Sequence, residues 1–87
     1  MKMKIRYEIR ESDAWLDDEG MYSWNASYHI SEYETNAKNG KRAFLNALKK
    51  HGVTCKRGAC YVDFDGDIYE LRRRGTHEPY YAAIPLE

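Results

Sequence analysis

The sequence predicts an α+β fold, an antiparallel sheet of four to five strands with one α-helix packed on one face, in ββαββ order, within a single domain spanning residues 1–87. Three observations predict it. Apolar and polar residues alternate in two stretches before residue 36 and in two more after residue 58. The segment between them carries a helical period. An Asp65-Gly66 pair separates the last two alternating runs, as a tight hairpin requires.

The first strand covers Lys4–Arg10. Ile5, Tyr7 and Ile9 point to one side and Lys4, Arg6, Glu8 and Arg10 to the other. Glu11–Gly20 is acidic and has loop composition, with Trp15 expected under the sheet. Met21–Glu34 is a long second strand, with Tyr22, Trp24, Ala26, Tyr28 and Ile30 on its inner face. The phase slips after Ile30, which predicts a bulge near Ser31–Glu32.

Asn36–Gly52 reads as the helix. Phe44, Ala47, Leu48 and His51 share its core face, with Leu45 on the border. Lys38, Arg42 and Lys49 line the opposite side, with Asn46 and Lys50 beside them. Asn36 or Asn39 caps the start, because an Asn side chain accepts from the free amides of the first turn. Gly52 suits the left-handed position past the end. Lys49, Lys50 and His51 complement the helix dipole there.

Ala59–Phe64 and Asp67–Arg73 form the predicted hairpin. Its register pairs Phe64 with Asp67, Val62 with Tyr69 and Cys60 with Leu71. Cys60, Val62, Phe64, Tyr69 and Leu71 then face the core, and Tyr61, Asp63, Ile68, Glu70 and Arg72 face away. Tyr80–Ile84 adds a short edge strand, ended by Pro85 and free to pair with a second copy of the chain in a homodimer.

The formal net charge is +0, but the charges are segregated. Glu11, Asp13, Asp17, Asp18, Glu19, Glu32 and Glu34 fall in a stretch without Lys or Arg. Lys38, Lys41, Arg42, Lys49, Lys50, Lys56 and Arg57 fall in one without acids. Either the molecule is dipolar and steers oppositely charged partners, or the two patches face each other as a surface network. The chain has 8 tyrosines, which suit both strands and binding surfaces. No apolar run is long enough to span a membrane, and the N-terminus lacks a signal-peptide core, so a cytoplasmic protein with no membrane partner is expected.

Catalytic patterns are weak. Asp63, Asp65, Asp67 and Glu70 resemble a calcium loop only superficially, since its sixth and twelfth positions would be Ile68 and Arg74. Cys55 and Cys60 lack zinc-site spacing, with His51 and His77 as possible fellow ligands, and do not make a disulfide framework. Cys55, between Thr54 and Lys56-Arg57, is either a reactive thiol or an incidental one, and Cys60 is a core thiol. His29 has no serine nucleophile in a suitable turn. No enzyme, metal or cofactor is expected.

Size, charge polarity and the stretches Trp24-Asn25-Ala26-Ser27-Tyr28-His29-Ile30 and Cys55-Lys56-Arg57-Gly58-Ala59-Cys60 give the chain its one family likeness. It resembles the small proteins of bacterial phages and mobile elements, among them anti-CRISPR inhibitors. The resemblance implies a non-enzymatic module that inhibits a nucleic-acid-handling complex; it carries over no site residues. From the charges, the partner is a basic nucleic-acid-binding protein met by Asp13, Asp17, Asp18, Glu19, Glu32 and Glu34, with Trp15, Tyr33, Tyr80 and Tyr81 as anchors. The alternative is direct nucleic-acid binding by Lys38, Arg42, Lys49, Lys50, Lys56 and Arg57 with Arg72, Arg73 and Arg74.

Overall fold

A computed structural model describes residues 4–36 and 39–86, apart from the side chains of Trp24, Ala26 and Ser27. The chain runs β1 (Lys4–Leu16), β2 (Tyr22–Asn36), α1 (Gly40–Lys50), β3 (Cys60–Asp65), β4 (Ile68–Arg73) and β5 (Pro79–Leu86). The strands form one antiparallel sheet in the order β2-β1-β5-β4-β3, with α1 against one face. The class is the expected α+β, and a fifth strand extends the order to ββαβββ.

That fifth strand differs most from expectation. β5 lies between β1 and β4, not at an edge, so Tyr80–Ile84 has no free edge to offer a second copy. Pro85 does not end it: the strand continues to Leu86, which pairs with Arg6. Pro85 sits past the last pair with β4, Tyr69 with Ala83, so on that side its missing N–H removes no ladder bond. The true edges are β2 and β3.

The core follows from the alternation in β1. Tyr7 and Ile9 are buried, and β5 and β4 bring Ala83, Tyr69 and Leu71 beside them. Phe44 and Leu48 of α1 close this face. Each large apolar side chain fully buried here contributes about 1.5–3 kcal/mol. The rings form a continuous set: Tyr7 stacks on Tyr33 with centroids 5.2 Å apart, meets Tyr69 edge-on at 5.6 Å, and Tyr69 packs on Phe44 at 6.3 Å.

The helix starts later than expected because Asn36 is still pairing with Lys4 in the sheet. Asn39 takes the N-cap position without a side-chain cap bond. Since the last helical residue is Lys50, His51 leaves the core face and is exposed at the C-cap. Gly52, at φ +80°, supplies the left-handed turn that was expected.

β1 does not stop at Arg10. Pairing with β2 carries it through Glu11–Leu16, so more than half of the expected acidic loop is strand and Trp15 is 46% exposed. Two register shifts skip Ile30 and Ser27 in β2. The first lies next to the expected bulge; between the two shifts Tyr28 is left 68% exposed rather than facing the core. The β3–β4 register is offset by two residues from expectation, with Asp65 opposite Ile68 and Phe64 opposite Tyr69. A shift of two preserves the faces. The loop is therefore Gly66-Asp67, with Gly66 at φ +62°, fitting a hairpin with glycine first. Phe64 stays on the core side, 4.5 Å from the Tyr69 ring, but lies beyond the helix and is 54% exposed.

The opposite face carries charge. Glu70 is nonetheless buried, its carboxylate accepting from Arg72 Nη2 at 3.1 and 3.2 Å. Glu8 pairs with Arg10 at 2.9 Å.

Two outcomes are expected. A Cβ at Gly40 would overlap the Tyr69 ring and hydroxyl, so Gly40→Ala should destabilise by about 1–3 kcal/mol in urea melts, while Asn46→Ala on the exposed side of α1 stays within about 0.5 kcal/mol. Tyr33 has a buried hydroxyl without a partner among the described residues. Burial first, then Tyr7 and Tyr69, push its ionisation well above the ordinary 10.0. Tyr7 moves the same way, through burial, then Tyr69 and Asp67. The unfolded chain ionises first, so stability is whole below pH 10.0 and falls above it, by up to about 1.4 kcal/mol per pH unit for each group. Tyr33→Phe should remove its share of that alkaline loss and change little at neutral pH.

Candidate functional site

β1 pairs with β5 only from Arg6 to Glu11. Ser12–Leu16 and their partners in β2 therefore leave the sheet as a two-stranded arm, within a molecule 41 × 28 × 23 Å in extent. Two-stranded hairpins are marginal alone, so the turn matters. Asp17 organises it: Oδ1 accepts from the amides of Glu19 and Met21, both at 2.9 Å, and its own amide donates to the Met21 carbonyl. Gly20 completes the turn at φ +77°.

The arm carries Asp13, Asp17, Asp18 and Glu19, all exposed, and none forms an ion pair among the described residues. Among the described residues six large hydrophobics are exposed; Trp15, Leu16 and Met21 sit on the arm, and Tyr28 lies just below it, opposite Glu11. The other expected acids lie at its root: Glu32 accepts from Arg6 at 2.8 Å, and Glu34 stands opposite Arg6 in the register. Of the expected anchors, only Trp15 is on the arm. Tyr33 is drawn against Tyr7, and Tyr80 and Tyr81 line a cleft elsewhere.

That cleft, of about 960 Å³, lies between the end of α1, the loop before β3 and the ends of β4 and β5. Lys56, Arg73, Arg74 and His51 line it, and Glu11 is its one acid among the described residues. The Arg73 guanidinium lies 3.8 Å from the Tyr80 ring centroid, and Arg74 is 5.7 Å from that of Tyr61. A second cleft, of about 360 Å³, shares Lys56 and Arg74 and adds Lys41, Arg57 and Tyr61. Lys49 and Lys50 are exposed in the last turn of α1, and Arg42 is exposed nearer its start. Lys38 lies outside the described residues. Arg72 belongs to the other face, bound to Glu70 and donating to the His77 carbonyl at 2.8 Å.

Cys55 and Cys60 are joined by a disulfide across a separation of 5 residues, so neither is the free thiol expected. The bridge closes the loop that presents Lys56 and Arg57. The signal was the pair of cysteines itself, bracketing a basic Gly-containing segment; two cysteines are too few to read as a framework, and a single short bridge leaves no other mark in the sequence. Tyr61 and His77 also come together, hydroxyl to Nδ1 at 2.6 Å, with His77 held at φ +63°. Among the described residues no group of three or more His, Cys, Asp or Glu is placed to hold a metal, and no helix is long and apolar enough to cross a membrane.

No protein-family model, no curated protein and no solved structure matches the chain.

The disulfide gives an expectation. Closing so short a loop restricts the unfolded chain by about 2 kcal/mol in the loop-entropy account. Cys55→Ser/Cys60→Ser should lower stability by about that amount in urea melts, and a reductant should lower the wild type equally while leaving the double variant unchanged.

Proposed function

We propose that this protein is a non-enzymatic protein-binding module, an inhibitor of the phage anti-CRISPR kind, that engages a basic nucleic-acid-handling partner through its acidic arm. One observation carries the reading: the projecting hairpin combines the exposed apolar side chains of Trp15, Leu16 and Met21 with four carboxylates that have no cationic partner among the described residues. Protein interfaces need both. The apolar groups supply area to desolvate, and the charges steer and orient the encounter. Carboxylates set along a narrow ribbon offer a cationic groove what a phosphate backbone offers it, so the arm competes for a nucleic-acid channel. Asp13, Asp18 and Glu19 do this from the solvent side, and Trp15 and Leu16 provide the anchors. Glu32 and Glu34 help less, because Arg6 sits beside them.

Asp17 is spared in the test because its carboxylate holds the turn. Asp13→Lys/Asp18→Lys/Glu19→Lys should reduce capture of a nucleic-acid-handling protein from nuclease-treated host lysate by at least about tenfold, with an unchanged melting curve. Trp15→Ala/Leu16→Ala should weaken it comparably through the dissociation rate. Undiminished capture by both variants overturns the reading.

A further inference from the structure

We propose that the cationic cleft binds single-stranded nucleic acid, at a surface separate from the acidic arm. The argument starts with charge. Lys56, Arg73 and Arg74 converge on one concavity from two different parts of the chain, with Lys49 and Lys50 exposed on the neighbouring helix end. The Cys55–Cys60 bridge fixes the loop that contributes Lys56 and Arg57. Among the described residues none of Lys49, Lys50, Lys56 and Arg57 is in an ion pair, so their charge is free for phosphate.

Shape and chemistry then select among polyanions. A volume of about 960 Å³ accepts a nucleotide or two, while a paired duplex keeps the faces of its bases stacked inside and offers only their edges in the grooves. The cleft is lined by Tyr80 and Tyr81, and Arg73 lies over the Tyr80 ring at 3.8 Å. A guanidinium–tyrosine stack is a plane on which an unpaired base stacks, and an acidic peptide has no use for it. The second cleft continues the track past the disulfide loop through Arg57, Lys41 and Tyr61. Two adjoining cationic subsites with Lys56 and Arg74 common to both suit successive nucleotides of one strand better than one isolated phosphate.

Fluorescence anisotropy with a labelled oligothymidylate of about 12 nucleotides tests this, alongside a duplex of equal length and polyglutamate as competitor, from about 50 to about 200 mM salt. The strand should bind with a steep salt dependence, and the duplex and polyglutamate should bind at least about tenfold more weakly. Lys56→Gln/Arg57→Gln, on an exposed loop, should weaken binding by about tenfold and lower the log–log salt slope by about 0.7 for each phosphate no longer neutralised. Arg73→Lys should keep the slope and still lose affinity, since the charge stays and the plane goes. Asp18→Lys/Glu19→Lys on the arm should leave strand binding no weaker, which separates this site from the protein-binding reading. No binding at low salt, equal binding of duplex or polyglutamate, or an unchanged Lys56→Gln/Arg57→Gln variant that melts like wild type overturns the proposal.

Discussion

The packing of Tyr69 holds the molecule together. Its ring touches the Phe44 side of the helix, the Tyr7 side of the sheet and the Phe64 ring at the hairpin edge. The backbone of α1 begins directly over it at Gly40, where no side chain would fit. With one helix available to cover five strands, cover is scarce, and the aromatic set from Tyr33 through Tyr7 and Tyr69 to Phe44 concentrates it where β2, β1, β4 and α1 meet. The arm is the part of β1 and β2 that runs past the cover, and the clefts are the ground between its edge and the disulfide loop.

This geometry decides the fate of the segregated charges. A compact fold that laid the acidic stretch across the basic one would have turned both into a surface network of small net effect. Here the ion pairs among the described residues form near the root of the hairpin, as in Arg6 with Glu32, on the far face, as in Arg72 with Glu70 and Asp63, and beside the cleft, where Arg73 meets Glu78 at 3.6 Å. The distal acids project away with the arm, and Lys41 of α1 lines the smaller cleft together with Lys56 and Arg57 of the following loop. The dipole in the sequence therefore survives folding.

The local patterns were legible because they report local physics. Alternation placed Tyr7 and Ile9, the helical period placed Phe44 and Leu48, and the hairpin composition gave the faces of β3 and β4. Long-range choices were not legible. Tyr80-Tyr81-Ala82-Ala83-Ile84 between two prolines reads as a terminal edge, yet the absence of charge along it suits the sheet centre, where Ala82 and Ala83 are buried. The arm escaped the sequence because acidic, turn-rich composition describes the tip at Asp17–Gly20 and not the strand before it, where pairing with β2 overrides propensity. The larger cleft had no sequence signature, since Glu11 and Ser12 of β1 join Arg73 and Tyr81 only once β5 has chosen its neighbours.

Zero net charge looks like an argument against any polyanion ligand, and distance removes it. At a strand rise of about 3.3 Å per residue, the Asp18 turn lies roughly 20 Å beyond Glu11 on the cleft rim. The Debye length at physiological ionic strength is about 8 Å. A phosphate at Lys56 or Arg74 is therefore screened from the carboxylates of the arm tip, and a cation met by the tip is screened from the cleft. Each end behaves as a surface of its own sign. The net neutrality of the chain is therefore no neutrality at either surface, because the two charges it carries are farther apart than the solvent lets them see each other.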